Sequence, residues 1–383
     1  MFEPSVIELN ASALHHNLKF IRKRLKPGVR LCSVVKGNAY GHGLSEYVGM
    51  AMQLGVDYFG VHSADEAFYL KQHQPLIPNL FIMSAVENEA VGWAIDNNVE
   101  FAVFDFERLE SALQYAKQLN KKALIHIEIE TGMYRTGFAQ YQIPKLCEWL
   151  HNNSNHIIFQ GLFTHFAGAE SQANDFRVSQ QANNFDYAFE LFNANNLHPV
   201  YHHTSCSAAL LNYPERQGNL VRIGILQYGF WPNKETHVRF YSEKENTPEI
   251  LKRIISWSAK VIAINSVSKG QFVGYGTTYL APKNMQLAIV PIGYSHGYSR
   301  KLSNIGSVLI NGHLAPIVGI VNMNSLTVDI SRAGEVKKGD EVVLIGKQKG
   351  KTISVSSFSE QSDLLNYELL TRLPLNIPRI ITY

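Results

Sequence analysis

The stretch LCSVVK at 31–36 opens the pattern that decides the fold. It is a short apolar run of the kind that forms a buried strand, and helix-like segments such as SADEAFYLKQ at 63–72 alternate with runs of this kind. Seven further runs follow, at 57–62, 79–84, 99–104, 123–130, 157–165, 200–204 and 220–226. Strands that alternate with helices are typical of βαβ units. Eight repeats predict an α/β fold with a (β/α)8 TIM-type barrel, and an open doubly wound sheet is the alternative because strand number alone does not establish closure.

The sequence pattern changes after about residue 245, where alternating strands are separated by Gly and Asn turns. The expected strands lie in ISWSAKVIAINSV (255–267), FVGYGTTY (272–279), MQLAIVPIGY (285–294), GSVLINGHLAPIVGIV (306–321), SLTVDI (325–330) and DEVVLIG (340–346). This pattern predicts a smaller C-terminal all-β domain. We therefore expect a barrel domain at 1–244 and a β-rich domain at 245–383, with the boundary in the polar segment 233–249.

Composition excludes several classes of protein. The balance of 35 Lys and Arg against 32 Asp and Glu, without long basic runs, argues against a nucleic-acid partner. The opening MFEPSVIELN lacks the apolar core of a secretory signal and no run is long enough to span a bilayer, so we expect a cytoplasmic protein with no membrane partner. Three Cys without a CxxC pair, and adjacent His202 and His203 without an HExxH motif, predict neither a disulfide framework nor a metal site.

Lys36 ends the first barrel strand, in VVKGNAYGHG at 34–43. Functional groups of (β/α)8 barrels gather on the loops after the strands, and glycines there allow the backbone to approach a ligand closely. A lone Lys at a strand end can be a solvated surface charge. The apolar run before Lys36 favours a partly desolvated amine instead, with a lowered pKa that permits imine formation with an aldehyde.

Other ionisable residues follow the fifth and sixth strands. Glu128, Glu130 and Arg135 lie in IEIETGMYRTGF, where the simplest interpretation is a local salt bridge. His165 follows the sixth strand in FTHFAGAE, as a general base or as a hydrogen-bonded core histidine.

The loops after the last two strands carry a candidate phosphate site. Ser207 lies in HHTSCSAALL, and the amides of Gly224 and Ile225 lie in RIGILQYGFWP. Phosphate sites in these barrels use such loops together with a nearby helix N-terminus. Together with Lys36, the cradle indicates pyridoxal 5'-phosphate, which needs an amine at one end and phosphate donors at the other.

These residues lie in motifs that resemble the alanine racemase family over nearly the whole chain. The motifs are VVKGNAYGHG, ETGMYRTGF, THFA, SAA, VRIGI, GYGTTY, PIGYSHGYSR, GDEVVLIG and IPR. The resemblance implies a pyridoxal-phosphate-dependent racemase of two domains. It implies that Lys36 holds the cofactor, that Arg222 faces its pyridine nitrogen, and that His165 and His203 lie in the hydrogen-bond surroundings of Arg222. The residues that would bind the phosphate are Tyr40, Ser207, Gly224 and Ile225.

The resemblance also implies a head-to-tail homodimer in which the partner subunit donates Tyr275 and Met323. Tyr275 would be the second catalytic residue, acting on the L-enantiomer while Lys36 acts on the D-enantiomer. Because a phenol is a weak base at neutral pH, Tyr275 would need a cationic neighbourhood such as His165 and Arg222. Arg135 would lie near the substrate carboxylate, and the Met323 backbone would contact that carboxylate. The implied product is D-alanine for cell-wall peptidoglycan.

The chain departs from the family pattern at several positions. Asn324 follows Met323 where the family has Asp, Ser295 and His296 replace the Ala-Asp of GYADGY, and Leu375 stands where the family has a gate tyrosine. These changes leave both proposed bases intact, and they keep open a racemase for another or broader set of amino acids, such as serine. Alternatives from other classes are a decarboxylase, which resembles this fold but places an acid rather than Arg222 at the pyridine nitrogen, and a non-catalytic cofactor carrier.

Glu128 is a further departure, because many relatives have a lysine here that must be carbamylated by carbon dioxide. A glutamate supplies a negative group of comparable reach without modification. We expect Glu128 to hold Arg135 in a charge-assisted pair.

Overall fold

Eight parallel strands form the first sheet of the computed structural model, which describes residues 4–242, 249–355 and 366–383. Their order in the sheet is β8-β7-β6-β5-β4-β3-β2-β9. The strands are β2 (Arg30–Val34), β3 (Phe59–Val61), β4 (Leu80–Ile82), β5 (Glu100–Val103), β6 (Ala123–Glu128), β7 (Ile157–Phe163), β8 (Tyr201–His203) and β9 (Leu220–Ile223). They match the eight apolar runs of the sequence, so the predicted strand pattern is confirmed.

The sheet closes between β8 and β9. The Arg222 amide donates to the Ser205 carbonyl over 2.9 Å, and the Asn219 amide donates to the His202 carbonyl over 3.2 Å. Large apolar side chains such as Tyr58, Phe81 and Phe163 fill the interior, as expected for a packed barrel rather than a pore. The (β/α)8 barrel is therefore confirmed over the open sheet.

Helices alternate with these strands. They are α1 (Ala11–Arg22), α2 (Lys36–Tyr40), α3 (Leu44–Gln53), α4 (Ala64–His73), α5 (Asn88–Asp96), α6 (Phe106–Leu119), α7 (Ile143–Asn152), α8 (Asp175–Ala194), α9 (Ser207–Asn212) and α10 (Lys234–Tyr241). Side-chain caps fix several N-termini: Ser63 accepts from the Glu66 amide and Asp105 from the Arg108 amide. None of the helices in the described part of the chain is long and apolar enough to cross a membrane.

The short helix α2 has an unusual hand. Gly37, Asn38, Ala39 and Tyr40 have φ angles of 63°, 55°, 52° and 52°. L-residues in this left-handed region cost about 1–2 kcal/mol each, so the surrounding structure must hold the turn. Part of that support is the Glu66 carboxylate, which accepts from the Gly37 amide over 2.6 Å.

The second compact unit is rich in antiparallel strands. One sheet has the order β14-β13-β16-β10-β1-β18 with β17 paired to β16, and another has the order β11-β12-β15. The strands are β1 (Ser5–Asn10), β10 (Ile255–Lys260), β11 (Ala263–Val267), β12 (Met285–Val290), β13 (Ser307–Ile310), β14 (His313–Pro316), β15 (Leu326–Asp329), β16 (Glu341–Gln348), β17 (Lys351–Ile353) and β18 (Arg379–Thr382), with helix α11 (Asn366–Thr371). The expected β-rich architecture of the C-terminal part of the chain is thus confirmed.

The division of the chain differs from the expected 1–244 and 245–383. One unit contains the chain up to Ser12, Asn38–Tyr47 and the chain from Arg253, and the other contains Ala13–Gly37 and Val48–Lys252. The reason is β1, which pairs with β10 and β18 rather than with a barrel strand. The expected boundary at 244 and 245 lies outside the described residues, and the polar segment before it forms α10.

The expected strand FVGYGTTY is wrong. Residues 272–279 form a loop closed by a single bridge between Phe272 and Leu280. Gly274 and Gly276 have φ angles of 75° and 68°, which are incompatible with a strand. Tyr275 therefore lies on a loop between β11 and β12.

Candidate active site

Lys36 follows β2 at the carboxyl end of the barrel, where the sequence placed it. Its side chain is exposed to solvent. The protein around its stem nevertheless removes enough water to lower its pKa, and the charge of Arg135 lowers the pKa further, while Glu66 opposes the shift. An amine with a lowered pKa is a better nucleophile and proton acceptor at neutral pH.

Arg222 is a buried cation in β9. Its Nη1 donates to the ring Nδ1 of His203 and, over 2.9 Å, to the His203 carbonyl. Its Nη2 donates to the Thr164 carbonyl over 2.7 Å. The guanidinium is therefore fixed on two sides by acceptors from β8 and from the end of β7.

Ser207 and Gly224 meet at the loops after β8 and β9. The Gly224 amide donates to Ser207 Oγ over 3.1 Å. Gly224 directly precedes the short helical turn Ile225–Tyr228. Ser207 is the first residue of α9 and is buried, as is Ile225. A hydroxyl beside amides at the start of helical turns fits a phosphate group, because these donors have no partner within their own turns.

His165 is held in its neutral form. Burial lowers its pKa to about 3, and the charges of Arg222, Arg135 and Lys36 act in the same direction. With a neutral His165, the cation in the neighbourhood expected around Tyr275 would be Arg222. The cationic character of this end of the barrel comes from the two arginines and the lysine.

Glu128 has a different partner from the one expected. Its Oε2 accepts from the Thr136 hydroxyl over 2.7 Å. Within the described part of the chain it forms no ion pair with Arg135, whose charge nevertheless opposes the rise that burial causes in the Glu128 pKa. Arg135 itself is exposed.

Glu130 orders the loop that leads to Arg135. Its carboxylate accepts from the amides of Gly132, Met133 and Tyr134, the last two over 2.8 and 2.7 Å. The expected local salt bridge is therefore replaced by backbone contacts. A carboxylate that accepts several amide hydrogen bonds holds a loop more firmly than a surface ion pair does.

The two expected site residues of the β-rich unit lie on its surface. The side chains of Tyr275 and Met323 are 75% and 56% exposed. Two departures from the family pattern lie beside Met323: Asn324 Nδ2 donates to Ser295 Oγ over 3.0 Å, and Ser295 Oγ donates to the Met323 carbonyl over 2.7 Å. Tyr40 belongs to this unit as well, as the last residue of the left-handed turn.

The sequence did not reveal two buried residues that continue the contacts of His203. His126 in β6 and Glu100 in β5 are almost fully buried and hydrogen-bonded to each other. The available signal was a charged residue within the apolar run VEFAVF and a histidine within ALIHIEIE. Which side chains converge inside a barrel depends on the stagger of its strands, which the sequence does not display.

A barrel with a lysine, a buried arginine and a hydroxyl–amide cradle at the carboxyl ends of its strands defines an enzyme of the pyridoxal-phosphate class. The sequence matches the family models described as Alanine racemase, N-terminal domain, over residues 9–232, and Alanine racemase, C-terminal domain, over residues 254–381. The chain belongs to the alanine racemase family, whose members are isomerases that depend on pyridoxal phosphate.

Individual relatives cover nearly the whole chain. The alanine racemase of Symbiobacterium thermophilum is 31% identical over 378 residues, covering 98% of this chain and 96% of the relative. The crystal structure of alanine racemase from Bacillus anthracis with bound L-Ala-P superposes with a TM-score of 0.90 at 29% identity, covering 100% and 96% of the two chains. The histidine racemase of Leuconostoc mesenteroides subsp. sake has a TM-score of 0.88 at 26% identity, covering 100% and 99%.

Proposed function

We propose that this protein interconverts L-alanine and D-alanine with pyridoxal 5'-phosphate, in the cytoplasm, and supplies D-alanine for cell-wall peptidoglycan. The observation that carries the proposal is the grouping of Lys36, Arg222 and the Ser207–Gly224 contact at one end of the barrel. The similarity to alanine racemases over nearly the full chain supports alanine as the substrate.

Each barrel residue has a proposed task. Ser207 and the amides of Gly224 and Ile225 hold the phosphate, with Tyr40 as a further phosphate ligand. Lys36 attaches the cofactor through its amine. Arg222 would face the pyridine nitrogen as a donor, because a guanidinium does not give up its proton at neutral pH.

Racemisation requires a proton to leave one face of the substrate and another to arrive on the opposite face. When bound, pyridoxal phosphate supplies the electron withdrawal that makes the α-proton acidic. Lys36 Nζ moves the proton of D-alanine, and the Tyr275 phenol oxygen moves that of L-alanine. The lowered pKa of Lys36 supports its role as a base. Arg135 and the Met323 amide orient the substrate carboxylate.

The test is chiral chromatography after the purified protein has been incubated with single L-amino acids and pyridoxal phosphate. The panel contains alanine, serine and histidine. Racemisation of alanine with a higher kcat/KM than either alternative is the expected result. Preference for serine or histidine would overturn alanine as the substrate while preserving the racemase, and release of carbon dioxide or no turnover would overturn the racemase.

A homodimer with sites completed across the interface is part of the proposal. The exposure of Tyr275 and Met323 on the β-rich unit supports donation to a second copy of the chain. Inactive Lys36→Ala and Tyr275→Phe subunits, mixed under exchanging conditions, would then regain about a quarter of the wild-type activity, because each mixed dimer has one site free of both lesions. Subunits that exchange but stay inactive would show that Tyr275 acts within its own chain.

A further inference from the structure

A chain of hydrogen bonds runs from Arg222 across the barrel interior to Glu100. Arg222 Nη1 contacts His203 Nδ1, His203 Nε2 lies 2.9 Å from His126 Nδ1, and His126 Nε2 lies 2.7 Å from Glu100 Oε2. His203 and His126 have no exposed surface, and Glu100 is 3% exposed. Three hydrogen bonds therefore connect the guanidinium to a carboxylate that it does not touch.

Because Arg222 can only donate, it sets the direction of every hydrogen bond between itself and Glu100. A guanidinium can only donate, so His203 Nδ1 accepts and the proton of a neutral His203 is on Nε2. His203 Nε2 then donates to His126 Nδ1, and the His126 proton must be on Nε2, where it is donated to Glu100. Burial, reinforced by the charge of Arg222, holds the His203 pKa well below its usual value, which agrees with a neutral ring.

The surroundings of the two rings are apolar and closely packed. Phe163 stacks on His203 with ring centroids 5.1 Å apart, and Phe81 stacks on His126 at 4.1 Å. Gly161 in β7 leaves the space that the His126 ring occupies, because a Cβ atom there would lie 2.0 Å from His126 Nδ1. Hydrogen bonds between such fully buried groups are stronger than in solvent.

Glu100, where the series of hydrogen bonds ends, also has hydrogen-bond donors for both of its carboxylate oxygens. Besides His126, the Tyr58 hydroxyl donates to Glu100 Oε2, and Gln160 Nε2 donates to Oε1 over 3.3 Å. Burial and the nearby Glu100 raise the Tyr58 pKa well above its usual value, so Tyr58 stays a donor. Three donors converge on Glu100, which is the environment of a buried carboxylate that only accepts.

We propose that Glu100, His126 and His203 form a positioning relay that orients Arg222 toward the cofactor, with Glu100 as its counter-charge. The proposal rests on the proposed function for the task of Arg222. A carboxylate placed directly against the guanidinium would compete with the pyridine nitrogen for its donors. Two neutral imidazoles keep the acid at a distance while still fixing the rotamer of Arg222 and the tautomer of its partner.

The hydrogen bond between the two histidines can be observed directly. In full-length protein labelled with 15N-histidine, we expect a scalar coupling across the hydrogen bond between His203 Nε2 and His126 Nδ1, with both rings neutral at pH 7. This measurement needs no turnover. A doubly protonated His203, or a His203 proton on Nδ1, would overturn the relay.

Kinetics distinguish a positioning role from a purely structural one. His126→Phe should lower kcat by about ten- to a hundredfold, the usual loss when an orienting partner is removed, with KM changed less than about twofold. Glu100→Gln keeps an acceptor for His126 and should retain more activity than Glu100→Leu. The matched control is Gln160→Leu, which removes a donor to the other carboxylate oxygen, Glu100 Oε1, and leaves the oxygen that His126 contacts untouched, and its kcat should match wild type.

A second variant covers the case in which His126→Phe does not fold. Gly161→Ala keeps every relay residue but displaces the His126 ring. It should therefore weaken the scalar coupling and lower kcat together. Unchanged kcat in His126→Phe, or an equal loss in Gln160→Leu, would overturn the positioning role. A protein that shows the coupling but racemises no amino acid would contradict the proposed function and leave the hydrogen-bond chain intact.

Discussion

Arg222 and Arg135 lie at the same end of the barrel but in opposite surroundings. Arg222 is buried and donates to four acceptors at the ends of β7 and β8. Arg135 is exposed and follows a loop whose order comes from Glu130. A buried guanidinium needs hydrogen-bond acceptors to offset the free energy lost on desolvation. An exposed guanidinium is hydrated and needs no fixed partner in the protein.

The difference suggests a division of tasks between a fixed charge and an adaptable one. Under the proposed function, the fixed guanidinium of Arg222 would serve the cofactor, which stays in place, and the solvent-exposed Arg135 would serve the substrate, which enters and leaves. The charges of both arginines lower the pKa of Lys36, so removing either charge should raise that pKa. Variants of these residues and of their neighbours test whether the two surroundings differ in function as well as in structure.

Lys36→Ala should have the largest effect. We expect a folded protein without the visible absorbance of the covalently held cofactor and with activity lower by about a thousandfold or more, since the anchor and one base are lost together. Absorbance spectra and chiral chromatography measure both. Lys71→Ala is the matched control, because Lys71 is another barrel lysine whose pKa burial lowers. A cofactor that borohydride still fixes to the Lys36→Ala protein would identify a different anchor.

Arg222→Leu and Arg135→Leu should separate stability from activity. Arg222→Leu leaves His203 Nδ1 and the Thr164 carbonyl without their donor, and should lower the free energy of unfolding by about 3 kcal/mol. Arg135→Leu should change it by less than about 0.5 kcal/mol while raising KM. Urea unfolding and steady-state kinetics provide the two readouts, and equal losses of stability would remove the contrast between the two sites.

Glu128→Gln should have a smaller effect on turnover. Its carboxylate contacts Thr136 and influences Arg135 through charge, so loss of that charge should lower kcat/KM by about tenfold. Wild-type activity should not depend on bicarbonate, and Glu128→Lys should work only when carbon dioxide is supplied. Wild-type turnover in Glu128→Gln would show that this carboxylate does not position Arg135.

The acid side of the stability profile should show the smallest effect. The His165 pKa is about 3, below the ordinary value of 6.5, so the unfolded chain binds the extra proton between those values and stability should fall as pH drops from 6.5 toward 3. His165→Gln should flatten that slope, and exposed His198→Gln should not. Because Arg222 lowers this pKa more than Arg135 does, Arg222→Leu should raise it more, as histidine NMR titrations would measure.

The barrel strands were predictable because each is a local apolar run bounded by turn residues. β1 was missed because its partners β10 and β18 lie more than two hundred residues away, and no local pattern shows such a pairing. The loop around Tyr275 was mistaken for a strand although its two glycines indicated positive φ angles. Sequence motifs placed Lys36 and Arg222 at the carboxyl ends of their strands, where the structure has them, but gave no sign of the contact between Glu100 and His126, because convergence inside a barrel depends on strand stagger.

Gly161 gives the barrel a constraint on how its sequence can evolve. Its backbone lies in an extended strand, so conformation does not require a glycine there. The imidazole of His126 requires the glycine, because a Cβ atom at position 161 would lie 2.0 Å from His126 Nδ1. Positions 161 and 126 are therefore epistatic: a lineage that exchanges both must give up the histidine first, since the reverse order passes through a chain with a steric clash in its core.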